Sequence, residues 1–424
     1  MAIRYWKGGL ATAVAQVADA TFGTYDVTTT RSITIGGVTI SAADSGGTLT
    51  TALDALKVLL NASTHPYFSG ITWTSDATKI YGTADTAGVP FVFLAAVNGG
   101  TGTCSNTFTI TTAAAGPHNF QSAANWSDST VPVSNDRVVY ANGAVDCIWG
   151  LDNASVALDG LEIHKSYTGK IGLPHDRFTT TEDGETTNTT YAEYRAHYLA
   201  IEVTQADGLC EIGKQVASGT FAGSRRIKLD LGSNAATVHV LGTAAASADS
   251  GQPAVRLKAN DSATIINIHA APGGVGIAAE SVSDTSVVAT INVFGTASTT
   301  RVSVGSGCTL TTFTQAGGNN VLNAAATITT VTASGGVLRI EGDFTITTLN
   351  ATGATIIDNH YKTGGNAVTT ANISGGLVDT AQNATARTWN QTNLSKGGKL
   401  KRDPAVLTLT TLSHTGAVAT LGAA

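Results

Sequence analysis

From residue 311 onward the chain repeats a short motif, and that repeat limits the fold more than any other feature. Thr311-Thr-Phe-Thr-Gln-Ala-Gly-Gly318, Thr329-Thr-Val-Thr-Ala-Ser-Gly-Gly336, Thr347-Thr-Leu-Asn-Ala-Thr-Gly353 and Thr369-Thr-Ala-Asn-Ile-Ser-Gly-Gly376 align, starting 18, 18 and 22 residues apart. A degenerate copy begins at Arg387-Thr388, another 18 residues on, and ends at Gly397-Gly398. The period is too short for a helical repeat or a propeller blade of about 40 residues. Three short strands at ~3.3 Å per residue, with three corners, consume about this much chain. Glycine at a fixed place supplies the positive φ of a tight corner, and equivalent Thr and Asn positions stack rung on rung. Upstream, Thr237-Val-His-Val-Leu-Gly242, Thr264-Ile-Ile-Asn-Ile-His269 and Thr290-Ile-Asn-Val-Phe-Gly295 recur 27 and 26 residues apart and read as wider coils with longer corner loops.

The first quarter has a different texture. Ser32–Ile35 and Val38–Ile40 alternate in period two around Gly36-Gly37, the pattern of a hairpin. Leu49, Ala52, Leu53, Leu56, Leu59 and Leu60 follow helical spacing, and Pro66 lies beyond them. Strands are expected at Ile71–Thr74, Lys79–Thr83 and Phe91–Ala95. The sequence therefore predicts a mainly β protein: an N-terminal arm (1–26), a small α+β attachment domain (27–112), a linker (113–118) at Ala113-Ala-Ala-Gly-Pro117, and a long single-stranded β-helix, or β-solenoid (119–424). The stretch 174–198 breaks the repeat and reads as a loop inserted between coils.

Composition excludes several classes of function. Charged residues are 13% of the chain, against about 25% in an average soluble domain, and 42% of residues are hydrophobic, so disorder is not expected. A net charge of −6 gives no field to hold a phosphate backbone, so no nucleic-acid partner is expected. The sequence has no apolar run of membrane-helix length, so no membrane partner is expected. Arg4 and Lys7 precede a weakly apolar stretch that loosely imitates a secretion signal, but Gly8, Gly9, Thr12 and Gln16 interrupt it, and it reads as an arm. Cys104, Cys147, Cys210 and Cys308 form no CxxC pair, which points to buried free thiols in a reducing cytoplasm rather than to disulfides or zinc.

Candidate chemistry is sparse. Hydrolysis of a glycan needs paired carboxylates, one of them protonated. Asp176, Glu182, Asp183 and Glu185, with His175 and Arg177 beside them, are the best cluster, and they read as a solvated excursion. His239 and His269 fall in successive coils and read as a solvent-facing ladder rather than a metal pair. No nucleophile elbow or phosphate loop is present, and no catalytic residue, metal or cofactor is assigned. Two basic clusters stand out: Arg225, Arg226 and Lys228, and Lys396, Lys399, Lys401 and Arg402. The second suits a polar C-terminal cap. Arg4, Tyr5, Trp6 and Lys7 form an aromatic and basic hook, assigned to partner binding because Trp, Tyr and Arg dominate interface energetics.

Asn125-Trp-Ser-Asp-Ser-Thr-Val-Pro-Val-Ser-Asn-Asp-Arg-Val-Val-Tyr140 resembles the entrance of bacterial and viral β-helices, with Trp126 capping the open end. With Asn61-Ala-Ser-Thr, Ala84-Asp-Thr-Ala-Gly-Val-Pro-Phe91 and Ser166-Tyr-Thr-Gly-Lys-Ile-Gly-Leu-Pro174, the order of parts resembles uncharacterised β-helical virion structural proteins of tailed phages and prophages. The resemblance implies a non-enzymatic bacteriophage structural protein, assembled into the virion in the host cytoplasm. The expected role is capsid decoration or cement, as a homotrimer bound to the major capsid protein or other virion proteins. A tail fibre or tailspike-type receptor-binding protein contacting host-surface glycan is the alternative.

Overall fold

The computed structural model describes residues 2–105, 108–174, 178–182, 185–189, 197–204, 209–216, 220–249, 251–279, 284–383 and 385–415. Within 178–182 and 185–189, only the backbone is described.

Two long parallel sheets account for most of the chain. The first has 13 strands, running from Ile3–Trp6 through Arg137–Tyr140 and Gly160–His164 to Leu407–Thr415. The second has 11, from Asp152–Leu158 to Lys399–Lys401. From residue 137 onward, apart from the segment 178–189, the chain alternates between the sheets, and each visit adds the next parallel strand. The protein is thus mainly β, with long parallel-strand sheets compatible with a β-solenoid. One hydrophobic cluster runs between the sheets, from Trp6, Phe120 and Trp126 at one end to Trp389, Leu400 and Leu407 at the other.

The inward alternation explains the Thr-Thr signature. In Cys308–Gln315 the buried positions are Cys308, Leu310, Phe313 and Gln315, so the period of two slips to three at Thr311 and Thr312. The same slip falls at Thr329-Thr330, Thr347-Thr348 and Thr369-Thr370. Each Thr pair therefore turns a corner, and two of the three expected short strands merge into one bent strand, leaving two ladders instead of three. The Gly pair turns another corner. Gly336 has φ +72°, and a Cβ there would run into the Gly318 carbonyl one rung below.

Register corrects the sequence alignment in two places. Thr312, Thr330, Thr348 and Thr370 are aligned as expected, but Thr370 meets Gln391, a step of 21 rather than 18. A bulge between Asn366 and Val368 and the longer connection before Arg387 absorb the difference. Upstream, Thr237 pairs with Ile265 rather than Thr264. Thr264 is fully buried, and its hydroxyl accepts from the Ala236 N–H at 3.2 Å, so it closes the turn instead of occupying the ladder.

The N-terminal segment also differs from expectation. The described part of the expected arm 1–26 is not separate: Ile3–Trp6 pairs in parallel with Arg137–Tyr140 as the first strand of the long sheet. Val17–Gly23 pairs with Lys79–Ala84. These strands join Ile71–Ser75, Thr103–Cys104 and Thr109–Thr112 in one sheet, while Val38–Ala43, Thr30–Ile35 and Leu94–Asn98 form another. Helix Leu49–Ala62 starts with a reciprocal cap between Thr48 and Thr51 and buries Ala52, Leu53, Leu56 and Leu60. These elements share a second hydrophobic cluster that includes Phe22, Trp73, Phe91 and Phe93.

The expected linker is not a free tether. Val14 and Ala115 bridge antiparallel, and the Gly9 N–H donates to the Pro117 carbonyl at 2.8 Å, so the segments entering and leaving the α+β elements lie side by side. The 174–198 insertion contains an antiparallel hairpin, Phe178–Glu182 with Glu185–Thr189. Both segments are rich in Thr, a β-branched residue favoured in strands.

Candidate functional site: the outer face of the long sheet

Because side chains alternate across a strand, a parallel register lines up outward residues in columns along the stack. One column reads Glu162, Glu211, His239, Asn267, Asn292, Thr314, Thr332, Asn350, Asn372, Asn393 and Ser413, with each residue Cα-paired to the next. At each rung through Asn350 the position on at least one side is buried in the core, as Ile291 and Val293 are beside Asn292. A second column, two residues earlier, reads Thr237, Ile265, Thr290, Thr312, Thr330, Thr348, Thr370, Gln391 and Thr411.

The amides in the first column bond along the stack. Asn292 Nδ2 donates to Asn267 Oδ1 at 2.9 Å, and the Thr314 hydroxyl donates to Asn292 Oδ1 at 2.5 Å. Farther on, Asn393 donates to Asn372 at 2.8 Å, Asn372 to Asn350 at 2.9 Å, and Asn350 to Thr332 at 3.3 Å. An Asn side chain carries both donor and acceptor, so a column of them can bond indefinitely without a charge.

At the near end the column is charged. Glu162 and Glu211 stand on adjacent rungs, with Lys214 Nζ at 3.2 Å from Glu162 and 2.6 Å from Glu211. Arg137 also reaches Glu162, and His164 Nε2 lies 2.8 Å from it. Burial pushes the Glu162 carboxyl up, but the bonds from His164 and Lys214, with the charges of Arg137 and Lys214, outweigh it and hold Glu162 below the ordinary range. A general acid needs the opposite shift. The arrangement favours the charged form of Glu162, which suits an ion pair.

Between the two regimes lies a strip of rings. His239 and His269 stack at 5.6 Å with 17° between planes, and His269 meets Phe294 at 5.2 Å. His269 is exposed and Phe294 is 50% exposed. The expected histidine ladder therefore exists as a ring contact. His269 lies two residues beyond the ladder partner of His239, which is Asn267. Among the described residues no group of three His, Cys, Asp or Glu could hold a metal.

The other sequence candidates fall elsewhere. Trp6 is 3% exposed, meets Trp126 edge to face at 5.2 Å, and donates from Nε1 to the Val145 carbonyl at 3.0 Å. Arg4 pairs with Asp136 at 2.8 Å and with Asp128, while Tyr5 and Lys7 are exposed. In the carboxylate cluster, Glu182 and Glu185 are Cα-paired across the hairpin, whereas His175, Asp176, Arg177 and Asp183 lie outside the described residues. Arg226 and Arg256 both hold Asp249, at 2.5 and 2.7 Å. Lys228 and Lys258 stand over the Tyr198 ring at 4.7 and 4.4 Å. Near the C-terminus Lys401 pairs with Asp379 at 3.2 Å and Arg402 donates to the Leu407 carbonyl, while Lys399 is exposed.

Sequence reading missed one buried cluster entirely. Asp358, His360 and Arg387 are buried, with Arg387 Nε at 3.2 Å from Asp358 and His360 Nδ1 on the same carboxylate. The alternation Ile356-x-Asp358-x-His360, which puts Asp358 and His360 on the same face as Ile356, was the available signal.

Searches against family models, curated proteins and solved structures return no match.

Proposed function

We propose that this chain is a non-enzymatic structural component of a bacteriophage particle, most simply a capsid decoration or cement protein. What supports the reading is one observation: a single apolar core runs without interruption between two parallel sheets, and the chain's first strand is built into the same stack. A stack of this kind unfolds only by separating neighbouring rungs, whose backbone bonds run along the whole column. That resistance suits a shell under internal pressure. In this reading residues 17–112 form the attachment domain, residues 119–415 lie on or project from the shell as a β-helix, and three copies assemble around a three-fold axis. The partners are the major capsid protein or its neighbours, and neither cofactor nor catalytic group takes part.

The test is stoichiometry. Quantitative mass spectrometry of purified particles should find this chain in a fixed, high ratio to the major capsid protein, and mild release of it should lower the temperature at which particles burst. A chain absent from particles, or shed without effect on bursting, removes the reading.

A second reading, a fibre or spike that contacts host-surface glycan, is favoured by the outer face of the long sheet, which offers hydroxyls, amides and exposed rings. In that case the chain is present in few copies per particle and binds cells.

A further inference from the structure

Over seven successive rungs the two outward columns carry no acidic or basic side chain apart from His239. The pairs are Thr237 and His239, Ile265 and Asn267, Thr290 and Asn292, Thr312 and Thr314, Thr330 and Thr332, Thr348 and Asn350, and Thr370 and Asn372. At ~4.8 Å per rung this face is about 29 Å long. The next outward positions at its near end, His269 and Phe294, supply rings, and the position beyond Phe294 is Ala316. One side of the Phe294 ring meets His269, while the neighbouring residue on the other side contributes only a methyl group.

We propose that this face, centred on Phe294, His269 and Asn292, binds an extended, uncharged polysaccharide lying along the stack. A pyranose ring has a face of C–H groups that packs on an aromatic ring, and hydroxyls that both donate and accept. The face matches both properties: Phe294 is 50% exposed, and the adjoining amides and hydroxyls are donors and acceptors at a fixed spacing. Other ligand classes fit poorly. An anionic chain finds no Lys or Arg among these positions, nucleic acid needs cations along its backbone, and an apolar partner would bury the Asn and Thr groups without replacing their water bonds.

The inference rests on the second reading above. It concerns one chain's surface and can be tested without particles. The full chain is titrated by calorimetry with maltohexaose, isomaltohexaose, cellohexaose, laminarihexaose, mannohexaose and hyaluronan. At least one neutral hexasaccharide is expected to bind, with Phe294→Ala and Asn292→Ala each weakening it tenfold or more. Phe294→Ala should lower the melting temperature only slightly, since half of that residue is already in water. If Asn292→Ala disturbs folding, Phe294→Ala and His269→Ala carry the test. Three results overturn the proposal: no neutral hexasaccharide binds, hyaluronan alone binds, or Phe294→Ala binds as the parent does. If sugar binds but the chain is absent from particles, the virion reading fails and this one stands. If the chain decorates particles but binds no neutral sugar, the converse holds.

Discussion

Trp6 and Trp126 meet edge to face at 5.2 Å, although all of the α+β elements lie between them in sequence. Phe120 joins Trp126 at 4.9 Å and Tyr140 joins Trp6 at 5.9 Å, so the near end of the apolar core is closed by rings. The contact ties the first strand to the entrance of the stack and thereby fixes both segments that lead to the α+β elements.

Replacing Trp6 with Ala should therefore cost about 3–5 kcal/mol, the usual range for a large buried aromatic. Tyr5→Ala, one position along and 45% exposed, should cost little. Chemical denaturation of the two variants checks the contrast. Equal losses would mean that the strand pairing with Arg137–Tyr140, rather than the ring closure, holds the N-terminus.

The buried trio of Asp358, His360 and Arg387 gives a second contrast. Arg387 also donates to the carbonyls of Asp358 and Thr380, at 3.0 and 2.7 Å. Arg387→Met leaves the Asp358 carboxylate buried without its cation, and a loss of about 3–5 kcal/mol is expected. Adding Asp358→Leu should recover part of that loss, because the charge that needed compensation is then gone. A double-mutant cycle measured by urea unfolding reads the coupling, and strict additivity would contradict it.

The sequence made the stack legible because Thr-Thr and Gly-Gly recur at corners, where backbone geometry restricts the choice of residue. It did not reveal where strands begin and end across a corner. Thr311 and Thr312 look like any two strand residues until the buried positions Leu310 and Phe313 show the phase slip. The outer columns were half visible: Thr290-x-Asn292 and Thr348-x-Asn350 can be read from the sequence, but their bonding depends on a register that Ile265, standing where Thr264 was expected, shifts by one residue. The pairing and burial of Trp6, read in the sequence as part of a partner-binding hook, were hidden for a related reason, since a four-residue strand far from its partner carries no local sign of pairing.

The cysteines should separate by reactivity. Burial pushes the thiols of Cys147, Cys210 and Cys308 up to about 12, and it raises that of Cys104 as well, although Cys104 is only partly buried. A thiolate is the reacting species, so all four should be slow with iodoacetamide in the native chain. Cys104 should label first, and the other three only with unfolding. Peptide mapping after timed alkylation checks the order, and early labelling of Cys210 would mean that the stack opens locally at that rung.

Acid should weaken the fold in two stages. His65 is held below its ordinary pKa by burial, so the folded state favours the neutral ring, and the stability this supplies is present above about pH 6.5 and is lost as pH falls below it. The carboxyls follow. For Asp249, burial pushes upward, but the bonds and charges of Arg226 and Arg256 outweigh it and the net shift is downward, as for Glu162. A depressed folded-state carboxyl supplies stability that is present above about pH 4 and lost as pH drops through its folded value. Melting temperature should thus decline gently from pH 7 to 5 and steeply below about pH 4. His65→Gln should flatten the first limb, and Asp249→Asn, although less stable at neutral pH, should make the second shallower. Unchanged limbs in both variants would assign the acid sensitivity to other groups.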